Sequence, residues 1–146
     1  MRTLRGLRRH GAGQRESAAV LLGHVSGGVW NATRVLYHRD LGDRHASAFA
    51  VVLGEKAKIR LYEELGRTGL RVVALIHTHP ADWVDLSSID EANQISSRVG
   101  VWSLVVPYYA RPRGWSLDKI GVHVRTTDGW VRLTPDETRA RVLLEG

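Results

Sequence analysis

Hydrophobic residues in this chain come in short runs that stop at glycine, proline or polar clusters, and the runs carry two different periods. Ser17 to Val25 reads SAAVLLGHV and ends at Ser26, Gly27 and Gly28, the pattern of a buried strand closed by a turn, after which Val29 to His38 continues as a second strand. Before it, Leu4 and Leu7 stand at helical spacing ahead of Gly11 and Gly13, so a short first helix is expected over residues 3 to 12. Ala46 to Leu53 is again strand-like. Glu55 to Leu65 instead sets Ala57, Ile59 or Leu61, and Leu65 on a rough helical face, with Gly66 as its stop.

The strand expected over Arg71 to Ile76 has VVALI at its centre and runs straight into His77-Thr78-His79-Pro80. Ser87 has the chemistry of a helix N-cap, Asp90 and Glu91 fall in the first turn that follows, and the helix is expected to reach about Val99 before Gly100. Val101 to Val106 is a further buried strand. Lys119 to Arg125 and Trp130 to Leu133 form a closing hairpin through Thr127, Asp128 and Gly129. Thr134-Pro135-Asp136-Glu137 then opens a terminal helix with its acids near the positive end of the helix dipole. Strands alternate with helices, which predicts an α/β layered domain on a mixed sheet.

Composition narrows the class without changing this picture. The chain has 146 residues, 43% hydrophobic and 25% charged, as expected for one globular domain spanning residues 1–146. No run approaches the roughly 18 to 20 apolar residues of a membrane span, and the basic start MRTLRGLRRHGAGQR leads into no signal-type stretch, so a cytoplasmic protein without membrane contact is expected. Cysteine is absent, which excludes disulfides, a thiol nucleophile and thiolate-bound metal together. Any metal must use His, Asp or Glu. The net charge of +6 comes largely from arginines spread along the chain, with modest clusters at Arg2, Arg5, Arg8, Arg9 and at Arg111, Arg113. An acidic protein partner uses that charge as well as nucleic acid would, and nucleic acid is not the expected main partner.

The candidate chemistry sits where the third strand ends. Alternate side chains of an extended strand share a face, so His77 and His79 converge on one point while Thr78 points away. Asp90, on a helix returning to that strand end, supplies a third ligand, and two His, one Asp and a water make a tetrahedral zinc site with an open position. Such a zinc lowers the pKa of its water, and a nearby carboxylate is still needed to move the proton. Glu16, an ionisable residue entering an apolar strand, is the candidate, and Ser87 is placed to donate its hydroxyl to a developing oxyanion. Each part alone has a plainer reading: loop histidines before a proline, a Glu paired with an arginine, a serine cap with a dipole-stabilised aspartate. His24 and His123, single histidines in apolar runs, are read as structural.

Taken together these residues resemble the JAMM/MPN metalloproteases, whose motif is an upstream Glu, then His-Ser/Thr-His-Pro, then Ser, two intervening residues and Asp. Here Glu16 lies in RESAAVLLG, His77-Thr78-His79-Pro80 gives the pair, residues 80 to 86 fill the gap, and Ser87-Ser88-Ile89-Asp90 completes it. The resemblance spans roughly Gln14 to Val106. It implies a cytidine-deaminase-like fold, a curved mixed sheet flanked by helices, one catalytic Zn2+ on His77, His79 and Asp90, and cleavage of amide or isopeptide bonds with Glu16 and Ser87 as catalytic residues. The loop Ala81 to Leu86 lacks the Pro-Ser-Gly of the DNA-linked RadC-type branch. The tail after Val106 is similar to stand-alone bacterial members found beside ubiquitin-like, E1-like and E2-like proteins in conjugation and antiphage defence systems. That similarity implies a ubiquitin-like protein, or its conjugates, as substrate. Trp83, Trp102, Tyr108 and Tyr109 are candidate aromatic contacts for it, with core or surface packing as the default role of each. A small-peptide or small-molecule amidase uses the same chemistry on another substrate. A non-catalytic zinc-stabilised module that binds protein or nucleic acid is the reading from another class.

Overall fold

The first hydrophobic run becomes the strand around which the sheet is built. β1 (Ala18–Ser26) reverses at Gly27 and Gly28, both at positive φ (56 and 79°), and returns as β2 (Val29–Tyr37). Two consecutive left-handed residues are what a two-residue hairpin turn demands, and glycine adopts them without steric cost. The computed structural model describes residues 2–42, 52–111 and 116–143. The strand expected over Ala46 to Leu53 falls mostly outside these residues, as does Arg113, and Val52 and Leu53 lie in neither strand nor helix.

Four more strands follow: β3 (Arg71–Thr78), β4 (Trp102–Val106), β5 (Gly121–Thr126) and β6 (Gly129–Arg132). They join in the order β2-β1-β3-β4-β5-β6, with β3 and β4 parallel and every other neighbouring pair antiparallel. The protein is therefore a mixed α/β fold on a six-stranded mixed sheet, as the alternation of elements predicts.

Helices cover both faces because successive strand residues point to opposite sides. On one face Ala19, Ile76, Val106 and Val122 pack against Leu4 and Leu7 of α1 (Arg2–His10). On the other, Val20, Leu22 and Leu75 pack against Ala57 and Leu61 of α2 (Glu55–Thr68). Arg2, Arg5, Arg8 and Arg9 are exposed on α1, so this basic cluster lies over the face opposite α2. Among the described residues no helix is long and apolar enough to cross a membrane.

Two helix ends depart from expectation. α2 runs through the exposed Gly66 to Thr68 and stops at Gly69, which is left-handed (φ 68°) and donates its N–H to the Leu65 carbonyl. That geometry closes a helix, whereas Gly66 only weakens one locally. α3 (Ser88–Ala92) is far shorter than the helix expected to reach Val99. No residue of α3 is buried, and Asn93 ends it by donating its side-chain amide to the Ile89 carbonyl at 2.8 Å. The chain then drops so that Ile95 packs into the α2-side core. α4 (Pro135–Arg141) starts as expected, with Thr134 and Glu137 forming a reciprocal capping box.

Candidate metal centre

The register between β1 and β3 builds the site. Ala18 pairs with His77, the Thr78 amide donates to the Ser17 carbonyl at 3.0 Å, and continuing the same register sets Glu16 opposite His79. Glu16, Ala18, His77 and His79 thus share one face, the face that also carries Leu75 and α2. Thr78 points the other way and is fully buried. Glu16 lies just before β1 and is 4% exposed.

Asp90 reaches this face from α3. Ser87 is the N-cap, accepting the Asp90 amide at 3.1 Å, while Asp90 Oδ2 accepts both the Ser87 amide and the Ser87 hydroxyl at 2.7 Å. The cap therefore does two things at once: it starts the helix and locks the carboxylate rotamer. Locked this way, Asp90 Oδ1 stands 3.3 Å from His77 Nε2 and Oδ2 stands 3.4 Å from His79 Nε2, and the two imidazole nitrogens are 3.1 Å apart.

These separations fit a metal. Zinc bonds of about 2.0–2.1 Å in a tetrahedron place neighbouring donors roughly 3.3 Å apart, close to the spacing of the two imidazole nitrogens and of each nitrogen from one Asp90 oxygen, and one ligand atom from each residue falls within 4.8 Å of the others. Two imidazoles and a carboxylate are also the donor types that borderline divalent ions take in cysteine-free sites. Among the described residues His77, His79 and Asp90 form the group of ligand atoms that can hold a metal ion.

The second ring nitrogen of His79 is fixed by the backbone. Nδ1 donates to the Trp83 carbonyl at 2.9 Å, and since a carbonyl only accepts, Nδ1 carries a proton and Nε2 is the nitrogen turned to Asp90 and His77. The Trp83 ring, half-exposed, stacks on the His79 ring at 4.9 Å with an interplanar angle of 9°. Sequence reasoning missed this carbonyl because a backbone acceptor leaves no mark in the residue pattern.

Charges at the site are mutually tuned. Burial pushes Glu16 up to about 7, partly offset by nearby His79 and reinforced by Asp90. Asp90 feels burial most strongly, but hydrogen bonds from His77 and His79 outweigh it and hold its carboxyl well below the usual range. For His79 burial acts downward, yet Asp90 and the Trp83 carbonyl win and the ring is raised. A buried carboxyl near neutrality facing two imidazoles and a carboxylate can both take and give a proton.

The remaining expected residues fall at varying distance. His123 is buried in β5 and donates Nδ1 to the Ser103 carbonyl at 3.3 Å, consistent with a structural role, whereas His24 is exposed on β1. Trp102 packs against the α1-side core beneath Arg141. Tyr108, Tyr109 and Ala110 form a turn with all three in the left-handed region (φ 55, 51 and 57°). Its amides reach the metal strand: Tyr109 donates to the His79 carbonyl at 2.8 Å and Tyr108 to that of Ala81 at 3.2 Å. Non-glycine residues held in this region carry strain, here kept in place by bonds to the strand end that bears His79.

No protein-family model matches the chain. Its fold is similar to the solution structure of protein DSY2949 from Desulfitobacterium hafniense, with a TM-score of 0.65 and 18% identity over 91% of this chain and 84% of that one. A JAB1/MPN domain protein from Archaeoglobus fulgidus, AF2198, aligns with a TM-score of 0.45 and 16% identity over 90% of this chain and 91% of that one.

Proposed function

We propose that this chain is a zinc-dependent hydrolase of JAMM type that cleaves an amide or isopeptide bond. The observation that carries the reading is the meeting of three metal-spaced donors, His77, His79 and Asp90, with a buried Glu16 whose carboxyl titrates near neutrality. Zinc bound there would polarise a water and the scissile carbonyl. Glu16 accepts the proton from the attacking water and returns it to the leaving amine. Ser87, whose hydroxyl still accepts the Asp90 amide, turns its one proton from Asp90 Oδ2 to the oxygen that gains negative charge. The Trp83 carbonyl keeps a proton on His79 Nδ1, and the flat Trp83 ring stacks on the imidazole.

The substrate in this reading is the bond after the C-terminus of a ubiquitin-like protein, in a precursor or a conjugate, with E1-like and E2-like proteins as companions. The motif carried from Glu16 to Asp90 and the likeness to stand-alone bacterial members support it. A fusion with a ubiquitin-like domain ahead of a reporter, and a set of short acylated peptide amides, are each incubated with zinc-loaded protein with and without chelator. Cleavage of the fusion alone supports the full reading, and cleavage of the short amides alone moves the substrate to small peptides. A chain that takes up no zinc sinks the hydrolase.

A further inference from the structure

His77 and His79 are not held alike. His79 has its second nitrogen tied to a backbone carbonyl, while among the described residues the hydrogen-bond and ion-pair partners of the His77 side chain are His79 and Asp90, both at its Nε2. An imidazole that serves a metal through Nε2 almost always donates its other N–H to a fixed acceptor, which sets tautomer and ring orientation.

The sheet supplies a place for that acceptor. Leu75 pairs with Ser103 and His77 with Val105, so Ser103 lies on the face of His77, one strand over. Above it the chain leaving α3 passes through Asn93, Gln94 and Ile95, and a pocket of about 30 Å³, partly open to solvent, remains between them and the sheet, bordered by His38, His77, Asp90, Gln94 and Ser103. A single water fits in a space of that size.

Among the polar groups of this lining, Ser103 Oγ and Gln94 Oε1 are buried and have no hydrogen-bond partner among the described residues. Ser103 is fully buried in the middle of β4, a strand whose other residues are all apolar. Leaving a buried hydroxyl unpaired forfeits its hydration with nothing in return, so the residue calls for a polar guest.

We infer that Ser103 and Gln94 bind one ordered water that orients His77. The water accepts the His77 Nδ1–H and the Ser103 hydroxyl proton and donates to Gln94 Oε1, leaving the Nε2 lone pair of His77 aimed at the metal position. Ser103 and Gln94 are thus positioning residues for the first ligand, doing through a water what the Trp83 carbonyl does directly for the second. The inference rests on the reading of His77 as a metal ligand, but its test does not require turnover.

The test is zinc affinity by chelator competition, together with long-range proton–nitrogen NMR of the zinc-loaded chain, in which the metal takes Nε2 of each histidine and the Nδ1–H of His77 is read directly. In the wild type the His77 Nδ1–H should be held by a partner and exchange slowly with solvent. Ser103→Val removes the hydroxyl that holds the water, so the His77 Nδ1–H should exchange faster and its signal shift while that of His79 stays as it was, an internal control for folding. Zinc affinity should fall by roughly 10- to 100-fold. Gln94→Leu, on the half-buried side of the cavity, should give the same direction if Ser103→Val fails to fold. Unchanged His77 signals and zinc affinity in both variants would overturn the inference. A wild type that binds no zinc would remove the proposed function, whereas unchanged variants of a wild type that does bind zinc would remove this inference alone.

Discussion

The amide of Ser17 donates to the side-chain hydroxyl of Thr78 at 2.9 Å, across the join between β1 and β3. The reverse bond, Thr78 amide to Ser17 carbonyl, is 3.0 Å, and the Ser17 hydroxyl donates to the Leu7 carbonyl at 2.8 Å. The residue between the two histidines thus reaches back, on the opposite face, to clamp the residue after Glu16. A β-branched hydroxyl is what this place needs, since the branch fills a fully buried site and the oxygen satisfies a buried amide.

Thr78→Val keeps the shape and removes the acceptor. It should destabilise the protein by about 1–3 kcal/mol through the orphaned amide, and lower kcat on the order of 10- to 100-fold by letting Glu16 drift. Zinc content should not change, because no ligand is touched. Thr78→Ser should restore kcat and most of the stability. Thermal melts, elemental analysis and steady-state kinetics on the two variants check this, and equal kcat in Thr78→Val and wild type would assign Thr78 to packing alone.

Metal content should separate ligands from the base. His77→Ala, His79→Ala and Asp90→Ala should each lose the one equivalent of zinc expected per chain, since a site with three protein ligands cannot spare one. Glu16→Gln should keep zinc and substrate affinity and lose roughly 100- to 10,000-fold in kcat. Zinc measured by elemental analysis beside single-turnover assays distinguishes the two groups.

Glu16 also sets a pH dependence of stability in the metal-free chain. Its folded pKa is raised from 4.5 to about 7, so the native state binds the proton more tightly than the unfolded chain does. The sign follows from linkage: Glu16 costs nothing below about pH 4.5, and its burial becomes progressively destabilising as pH rises through 7, approaching roughly 3 kcal/mol. Glu16→Gln, with no charge to bury, should therefore melt higher than wild type above pH 7 and match it near pH 4.5. Denaturant titrations with chelator present across that range measure the crossing. A constant gap at every pH would show that the carboxylate is solvated.

The parts of the site that were legible in the sequence are those encoded by period and cap. Alternation in His77-Thr78-His79 fixed a shared face, and Ser87 with Asp90 carried both a cap and a carboxylate, which α3 displays. The extent of α3 was not legible, because Gln94 to Val99 remains compatible with a helix until one sees Asn93 capping Ile89 and Ile95 turning into the core. Gly66 and Gly69 look alike on paper, and only the left-handed backbone of Gly69 separates them. The Trp83 carbonyl and the Ser103 cavity depend on which strand lies beside which, and pairing of β4 with β3 is a long-range fact. A lone serine inside VWSLVV was the one local signal for the cavity.

The loop between the two halves of the motif is held down by a contact made possible at Gly121. A Cβ on Gly121 would come within 1.9 Å of the Val84 carbonyl oxygen, a backbone atom that cannot swing aside. Val84 follows Trp83, whose own carbonyl fixes His79, and precedes Asp85, which pairs with Arg132 at 2.6 Å on β6. Gly121 in β5 thus lets the loop lie flat enough for Trp83 to reach His79. Gly121→Ala should lift the loop, costing about 1–3 kcal/mol in stability as an overpacked site does. Zinc affinity should fall with it, because the His79 tautomer loses its anchor. Arg132→Ala, which loosens the same loop at an exposed ion pair, should change stability little, an effect within about 1 kcal/mol. Zinc competition and melts on both variants read the difference, and a Gly121→Ala protein of lowered stability but wild-type zinc affinity would show that the loop's height and the metal ligand are independent.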